Sequence, residues 1–189
     1  MDNKRDVTKI LLVNSFKKMV LTKPFEKITI KMITDDAGVI RPTFYNYFQD
    51  KYEVLEWIFT HEIADKMNLL LENKMESEAI KMLFICLEKE REFYKRAFLI
   101  TGPNSFYQLL EDFTYKTFLH LLAEYPLKPE ARIHFLTSES IATYYTFSIC
   151  EAVRAWVIND GFHMTSDEIY EAYIYLIHHS LLDTIDMHK

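Results

Sequence analysis

Apolar positions recur at helical spacing along the chain, and the pattern predicts nine helices and no strand. The first runs from about Lys4 to Thr22, with Ile10, Leu11, Ser15, Met19 and their apolar neighbours as its buried stripe. Pro24 stops it, because proline disfavours helical geometry in the residue before it. Thr29 caps a second helix, Ile30 to Ala37, and Gly38 ends it by adopting positive φ. The third begins at Arg41, with Pro42 in its first turn where a missing N–H costs nothing, and reaches about Phe48. Asp50 caps a fourth, which continues through Trp57 to about Glu72.

Ser77 to about Lys89 and Glu90 to Ile100 read as two helices or one bent helix. Gly102-Pro103 breaks the pattern before a helix from Asn104 to Glu124. Pro126 and Pro129 bracket a loop, and Pro129 to Asp160 reads as one helix of about eight turns. Gly161 closes it, and Ser166 caps a last helix from Asp167 to about Ile185. The expected class is all-α, with a three-helix N-terminal domain at 1–50 and a larger helical domain at 51–189.

Composition agrees with long helices: 49% of the residues are hydrophobic and only three are glycine. No run of eighteen uncharged apolar residues suggests a membrane span, and the charged start MDNKRDVTK does not read as a secretory signal. Cys86 and Cys150 lie far apart in apolar helical surroundings and do not make a disulfide scaffold, so a cytoplasmic location is expected. The net charge of −6 is unevenly spread: residues 1–51 carry ten Lys/Arg and six Asp/Glu, a net of +4, and the remainder a net of −10. Attraction to phosphate is local, being screened within about 10 Å, so the basic segment permits nucleic-acid binding despite the acidic total.

Two short helices joined by a tight glycine turn make a helix-turn-helix unit, and here the turn is Ala37-Gly38-Val39. Phe44 and Phe48 stand four residues apart on the third helix, so both face Ile33 and Val39. The opposite face centres near Asn46, flanked by Pro42, Thr43 and Tyr47. Such a helix fits the major groove, where asparagine pairs with an adenine edge through two hydrogen bonds. Thr29, Lys31, Tyr45 and Lys51 lie near helix ends or edges and suit phosphate contacts.

The stretch ITIKMITDDAGVIRPTFYNYFQDKYEVL resembles the DNA-binding segment of the TetR/AcrR family. It carries that family's Thr–x–x–x–Ile, Ala-Gly-Val, Thr–Phe–Tyr–x–x–Phe and Lys–x–x–Leu pattern, and departs from it at Lys23-Pro24, where the family usually has glycine. The resemblance implies that Arg41, Thr43 and Asn46 face bases while Tyr45, Tyr47 and Lys51 lie mainly on phosphates. Read from the residues alone, Tyr45 also fits packing between helices one and three, and Arg41 fits a phosphate clamp as well as a guanine reader.

The resemblance further implies a C-terminal part that dimerises and holds an effector. Two stripes fit an intersubunit four-helix bundle or the monomer core: Phe135, Ala142, Tyr145, Ile149, Ala152 and Trp156, and Ile169, Tyr173, Leu176, Ile177, Ser180 and Leu181. Aromatics between residues 93 and 118 line a pocket or fill a core; Tyr94, Phe98, Phe113, Tyr144 and Phe147 are the pocket candidates. The segment ICEAVRAWVINDGFHMTSDEIYE is similar to a C-terminal domain of a Firmicutes-type branch that includes the regulator of dihydroxyacetone kinase genes. That branch admits control by a protein partner as an alternative to a small molecule.

The expected function is a dimeric regulator of a palindromic double-stranded DNA operator, repressing by default or activating, with no membrane partner. Enzyme chemistry is not expected, since no Gly-rich phosphate loop or nucleophile elbow is present. Neither a cofactor nor a metal is expected: the adjacent His178 and His179 point about 100° apart on a helix. Cys150 reads as a buried inert thiol or, if activated, an oxidant sensor.

Overall fold

The structure is a computed structural model that describes residues 2–125, 127–131, 133–134, 136–161 and 163–186, with side chains for all of these except 2–6 and 130. Among the described residues there is no strand. The α-helices are α1 (Asp2–Thr22), α2 (Ile30–Asp36), α3 (Arg41–Tyr45), α4 (Lys51–Phe59), α5 (Asp65–Glu72), α6 (Glu76–Lys89), α7 (Arg91–Ala97), α8 (Phe106–Glu124), α9 (Ser138–Ile158), α10 (Ser166–His178) and α11 (Leu181–Thr184). The expected all-α class is what the chain adopts. No described helix is long and apolar enough to cross a membrane.

The local signals act as their chemistry requires. The Thr29 side chain accepts a hydrogen bond from the Met32 N–H at 3.3 Å. Asp50 Oδ1 accepts from the N–H groups of Tyr52 and Glu53 at 2.7 and 3.0 Å. Gly38 turns the chain after α2 with φ of 68°, a conformation that costs glycine nothing.

Elsewhere the boundaries differ from the sequence pattern. Between α4 and α5 a turn of π-helix covers Thr60–Ala64, where one uninterrupted helix was expected. Pro129 opens only a short 3₁₀ turn, Pro129–Ala131, and α9 starts afresh at Ser138 because Thr137 caps it by accepting from the Ser140 N–H at 3.2 Å. The cap of α10 is Thr165, paired with Glu168 in a capping box. Ser166, expected in that role, instead donates through its hydroxyl and its backbone N–H to Glu88 of α6 at 2.6 and 3.0 Å. The final helix also ends early: His179 is extended, and Ser180 caps the separate α11. On α1 the buried face holds Leu12, Val13, Phe16, Met19 and Val20, whereas Ile10 and Leu11, expected inside, are exposed.

The helices form two compact units, residues 1–65 with 90–109, and residues 66–89 with 110–189. In the first, α1 packs on α2, α4 and α7, and α2 packs on α3. Its core contains Phe16, Phe25, Ile33, Phe44, Phe48, Leu55 and Ile58. In the second, α6 lies against α9 and α10, with Phe84 edge-on to Trp156 at 5.7 Å and the Trp156 indole donating to the Met164 carbonyl at 2.9 Å.

Cys150 is fully buried in the second unit, and burial pushes its thiol up to about 12. At pH 8 its thiolate fraction is then on the order of one in ten thousand. Iodoacetamide is therefore expected to leave Cys150 unmodified in the native protein and to label it in urea, as read by mass spectrometry. Native labelling at the denatured rate would contradict the burial.

Candidate nucleic-acid interface

The geometry of the helix-turn-helix follows from two aromatic anchors. Phe44 is 0% exposed and Phe48 is buried beside it, their ring centres 5.7 Å apart. Ile33 of α2 is buried in the same core, and Val39 of the turn is half-buried. Fixing this face inward turns the other face of α3 to solvent. Asn46 and Pro42 are exposed, and Thr43 and Tyr47 are half-buried. Asn46 is the residue that closes α3, its N–H bonded to the Thr43 carbonyl at 3.2 Å. The helical hydrogen bonding persists one residue beyond the expected reader face, since the Phe48 N–H reaches the Phe44 carbonyl at 3.0 Å.

The cationic residues sit around this face in different states. Arg41 is exposed; its guanidinium donates to the Tyr45 hydroxyl at 3.0 Å and lies 5.6 Å from the centre of that ring. Tyr45 itself is exposed, so it is not wedged between α1 and α3. Lys31 pairs with Asp35 at 2.6 Å in a solvated i,i+4 bridge, which contributes only a few tenths of a kcal/mol, roughly 0.3–0.5. Thr29 is exposed apart from its capping bond.

Lys51 has an engagement that the sequence pattern does not reveal. Its ammonium donates to the carbonyls of Phe25 and Ile28 at 2.6 and 3.0 Å and stands 4.2 Å from the centre of the Phe25 ring. Burial holds its pKa below the usual lysine value, with Glu26 and Asp50 opposing that shift. The side chain thereby ties the link between α1 and α2 to the start of α4. An ammonium carries three N–H donors, and two are used in this way.

The pocket candidates do not gather in one place. Tyr94 and Phe98 are buried in the first unit, packed against Phe106 at ring distances of 5.2 and 4.8 Å. Tyr144 and Phe147 stand exposed on α9. Phe113 lines a cleft of about 550 Å³ in the second unit with Leu71, Lys116, Thr117 and Leu121 among its walls, and Tyr144 lines a separate one with Ser148 and Leu176.

The two stripes that fit either an intersubunit bundle or the monomer core divide between those readings. Ala142, Ile149, Trp156 and Tyr173 are buried within the second unit itself. Tyr145, Ala152, Ile169 and Ile177 are half-buried, and Phe135 lies outside the described residues. Leu176 and Leu181 of the second stripe are exposed, at 61% and 72%, and the uncovered apolar surface of α9, α10 and α11 also includes Tyr144, Phe147, Tyr175 and Leu182, which neither stripe contained. Helical spacing identifies residues sharing a face without revealing what covers that face.

Residue Ile40, between the turn and α3, belongs to the exposed end of the unit and was not singled out by periodicity. The signal that marks it is an apolar residue where a helix usually takes a polar cap.

Residues 18–58 match the family model for bacterial regulatory proteins of the tetR family, and residues 76–179 match a transcriptional regulator C-terminal region. The chain is 24% identical over 153 residues to the HTH-type dhaKLM operon transcriptional activator DhaS of Lactococcus lactis, covering 80% of each protein. Its fold is similar to the solved structure of the dihydroxyacetone kinase operon activator DhaS, with a TM-score of 0.64 at 24% identity over 90% of this chain and 93% of the other. It is also similar to NalD, the secondary repressor of the MexAB-OprM multidrug efflux pump in Pseudomonas aeruginosa, with a TM-score of 0.57 at 18% identity over 93% and 94% of the two chains.

Proposed function

The chain belongs to the TetR family of bacterial regulatory proteins and is a DNA-binding transcriptional regulator; from this premise we propose that it acts as a homodimer on a palindromic operator, with α3 of each subunit in a major groove. One observation carries this reading: the segment from Arg41 to Phe48, built on α3, buries Phe44 and Phe48 while Arg41 and Asn46 are exposed and Thr43 half-buried. Asn46 reads an adenine edge, with Thr43 and Pro42 beside it, and Arg41 exchanges its intramolecular partner Tyr45 for a guanine edge or a phosphate. Thr29, Lys31, Tyr45, Tyr47 and the third N–H of Lys51 hold the phosphates that set register. Residues 1–50, with Lys51 at their border, carry this work and residues 51–189 otherwise carry assembly and control, in the cytoplasm with the chromosome.

Homodimerisation is supported by the uncovered apolar face of α9, α10 and α11, which a second copy would bury as a four-helix bundle. Two reading helices would then meet half-sites about 34–36 Å apart. Changing Tyr144 and Phe147 together to glutamate is expected to yield a monomer in sedimentation and about a hundredfold weaker operator binding. A dimer unchanged by both substitutions would remove this face from the interface.

Gel retardation on duplexes enriched from a random-sequence pool, with competitor DNA and a salt series, tests DNA binding directly. Affinity is expected to fall by about three orders of magnitude between 50 and 200 mM salt if six or more phosphates are contacted. Retardation lost to competitor at every salt concentration would refute sequence-specific recognition.

Control by a small molecule is supported by the cleft beside Phe113, whose volume lies within the range of ligand sites. If no small molecule alters DNA affinity, control by a protein partner is the better reading. Repression, by occluding promoter DNA, is the default output. Activation is the second reading, favoured by similarity across both regions to a protein named an activator. A reporter fused to the promoter that the protein binds separates the two, since deleting the regulator raises expression in the first case and lowers it in the second.

A further inference from the structure

We propose that Ile40 reads a thymine, packing its side chain against the 5-methyl group in the major groove next to the bases met by α3. The inference rests on the reading above, in which α3 enters that groove.

Ile40 is 70% exposed, more than any other large apolar side chain described in the first unit. It takes no part in the core formed by Ile33, Phe44 and Phe48. Its backbone is extended, with φ −83° and ψ 150°, and it occupies the capping position of α3. Thr29 and Asp50 at the equivalent positions of α2 and α4 accept backbone N–H groups, but isoleucine has no acceptor, and α3 has no side-chain cap. The side chain therefore stabilises neither the core nor the helix end, at a position where serine or aspartate would do so.

What Ile40 does offer is a stiff, branched apolar surface beside Arg41 and Thr43. Of the four bases, thymine is the one that presents a methyl group in the major groove. Cytosine at the same place carries only a hydrogen at C5, so the apolar contact is lost. The chemistry on both sides is complementary, and a polar cap would lack it.

The test uses full-length protein and duplexes enriched by it from a random-sequence pool. Each thymine of an enriched duplex is replaced in turn by deoxyuridine, which removes the methyl group and nothing else. For the unsubstituted protein, one position in each half-site is expected to lose about fourfold in affinity, the value of one buried methyl. For Ile40→Ala, the thymine duplex binds about four- to tenfold more weakly, and deoxyuridine costs nothing further at that position. Ile40→Ser is expected to raise the melting temperature by about 2–4 °C through its new cap while lowering DNA affinity.

Equal deoxyuridine losses in the unsubstituted protein and Ile40→Ala would overturn the proposal, as would undiminished affinity of Ile40→Ala for the thymine duplex. A lower melting temperature for Ile40→Ser would mark Ile40 as a packing residue and overturn it as well. If the pool enriches no sequence at all, the groove reading itself fails, and this inference fails with it.

Discussion

Phe44→Ala is expected to cost about 3–5 kcal/mol of folding stability, the range for emptying a fully buried aromatic site. For a chain of 189 residues this lowers the melting temperature by on the order of 10 °C. The cost is large because α3 has only five residues, too few to be helical without its tertiary anchor. Phe44 joins that helix to Phe48 and lies in the core with Ile33, and its ring also meets Tyr45 edge-on at 5.6 Å. DNA binding should fall with stability, because Thr43 and Asn46 are oriented only as long as the anchor holds. Urea denaturation and gel retardation on the same preparation check both effects. A Phe44→Leu variant, which fills most of the volume, should recover most of each. If Phe44→Ala binds and unfolds as the unsubstituted protein does, α3 is held by something else.

Lys17→Ala should give the second large effect. Lys17 is a buried cation whose ammonium bridges Glu62 at 2.5 Å and Glu90 at 2.8 Å. The Tyr94 hydroxyl donates to the other oxygen of Glu62 at 2.9 Å, and the Lys17 ammonium lies 5.2 Å from the centre of the Phe93 ring. These contacts tie α1 to the π-helical turn at Thr60–Ala64 and to the start of α7. Removing one partner of a fully buried pair costs roughly 3–5 kcal/mol because the other charge stays buried. Glu62 and Glu90 retain some access to water, so about 2 kcal/mol is the better expectation here.

The melting temperature should then drop by about 4–8 °C. Lys17→Met keeps the stem and should lose nearly as much, whereas Lys17→Met combined with Glu62→Gln should regain part of it. Equal stability of Lys17→Met and the unsubstituted chain would show that the ion cluster contributes nothing.

Much of the helical plan was legible because the stop and start signals are local. Thr29, Gly38 and Asp50 act on their own backbone or on residues within three positions, so the sequence around them contains their partners. The π-helical turn left no such mark: it changes which carbonyl each N–H reaches while the apolar spacing stays nearly the same. The long helix expected from Pro129 failed on competition, since Thr137 caps a helix more effectively than the preceding residues extend one.

The outward face of α3 was readable for the same local reason, Phe44 and Phe48 being one helical turn apart. Lys51 was less so, because its carbonyl partners lie more than twenty residues away at Phe25 and Ile28. The face of α9 that includes Ala142, Ile149 and Trp156 was correctly grouped, but only the packing of α6 and α10 against it decides that it is core. The aromatics from Tyr94 to Phe113 look alike in sequence yet divide between two units, which no count of aromatics foretells.

The central claim is that α3 presents Asn46 to a base edge once in each half of a dimeric assembly. The most direct measurement is parallel enrichment of duplexes from one random-sequence pool by the unsubstituted protein and by Asn46→Ala. The expected result is an inverted repeat for the first protein, and for the second the same repeat with preference lost at one base pair in each half, a discrimination of about 1–3 kcal/mol. Identical enriched sequences from the two proteins, or an enriched site without inverted symmetry, would contradict it.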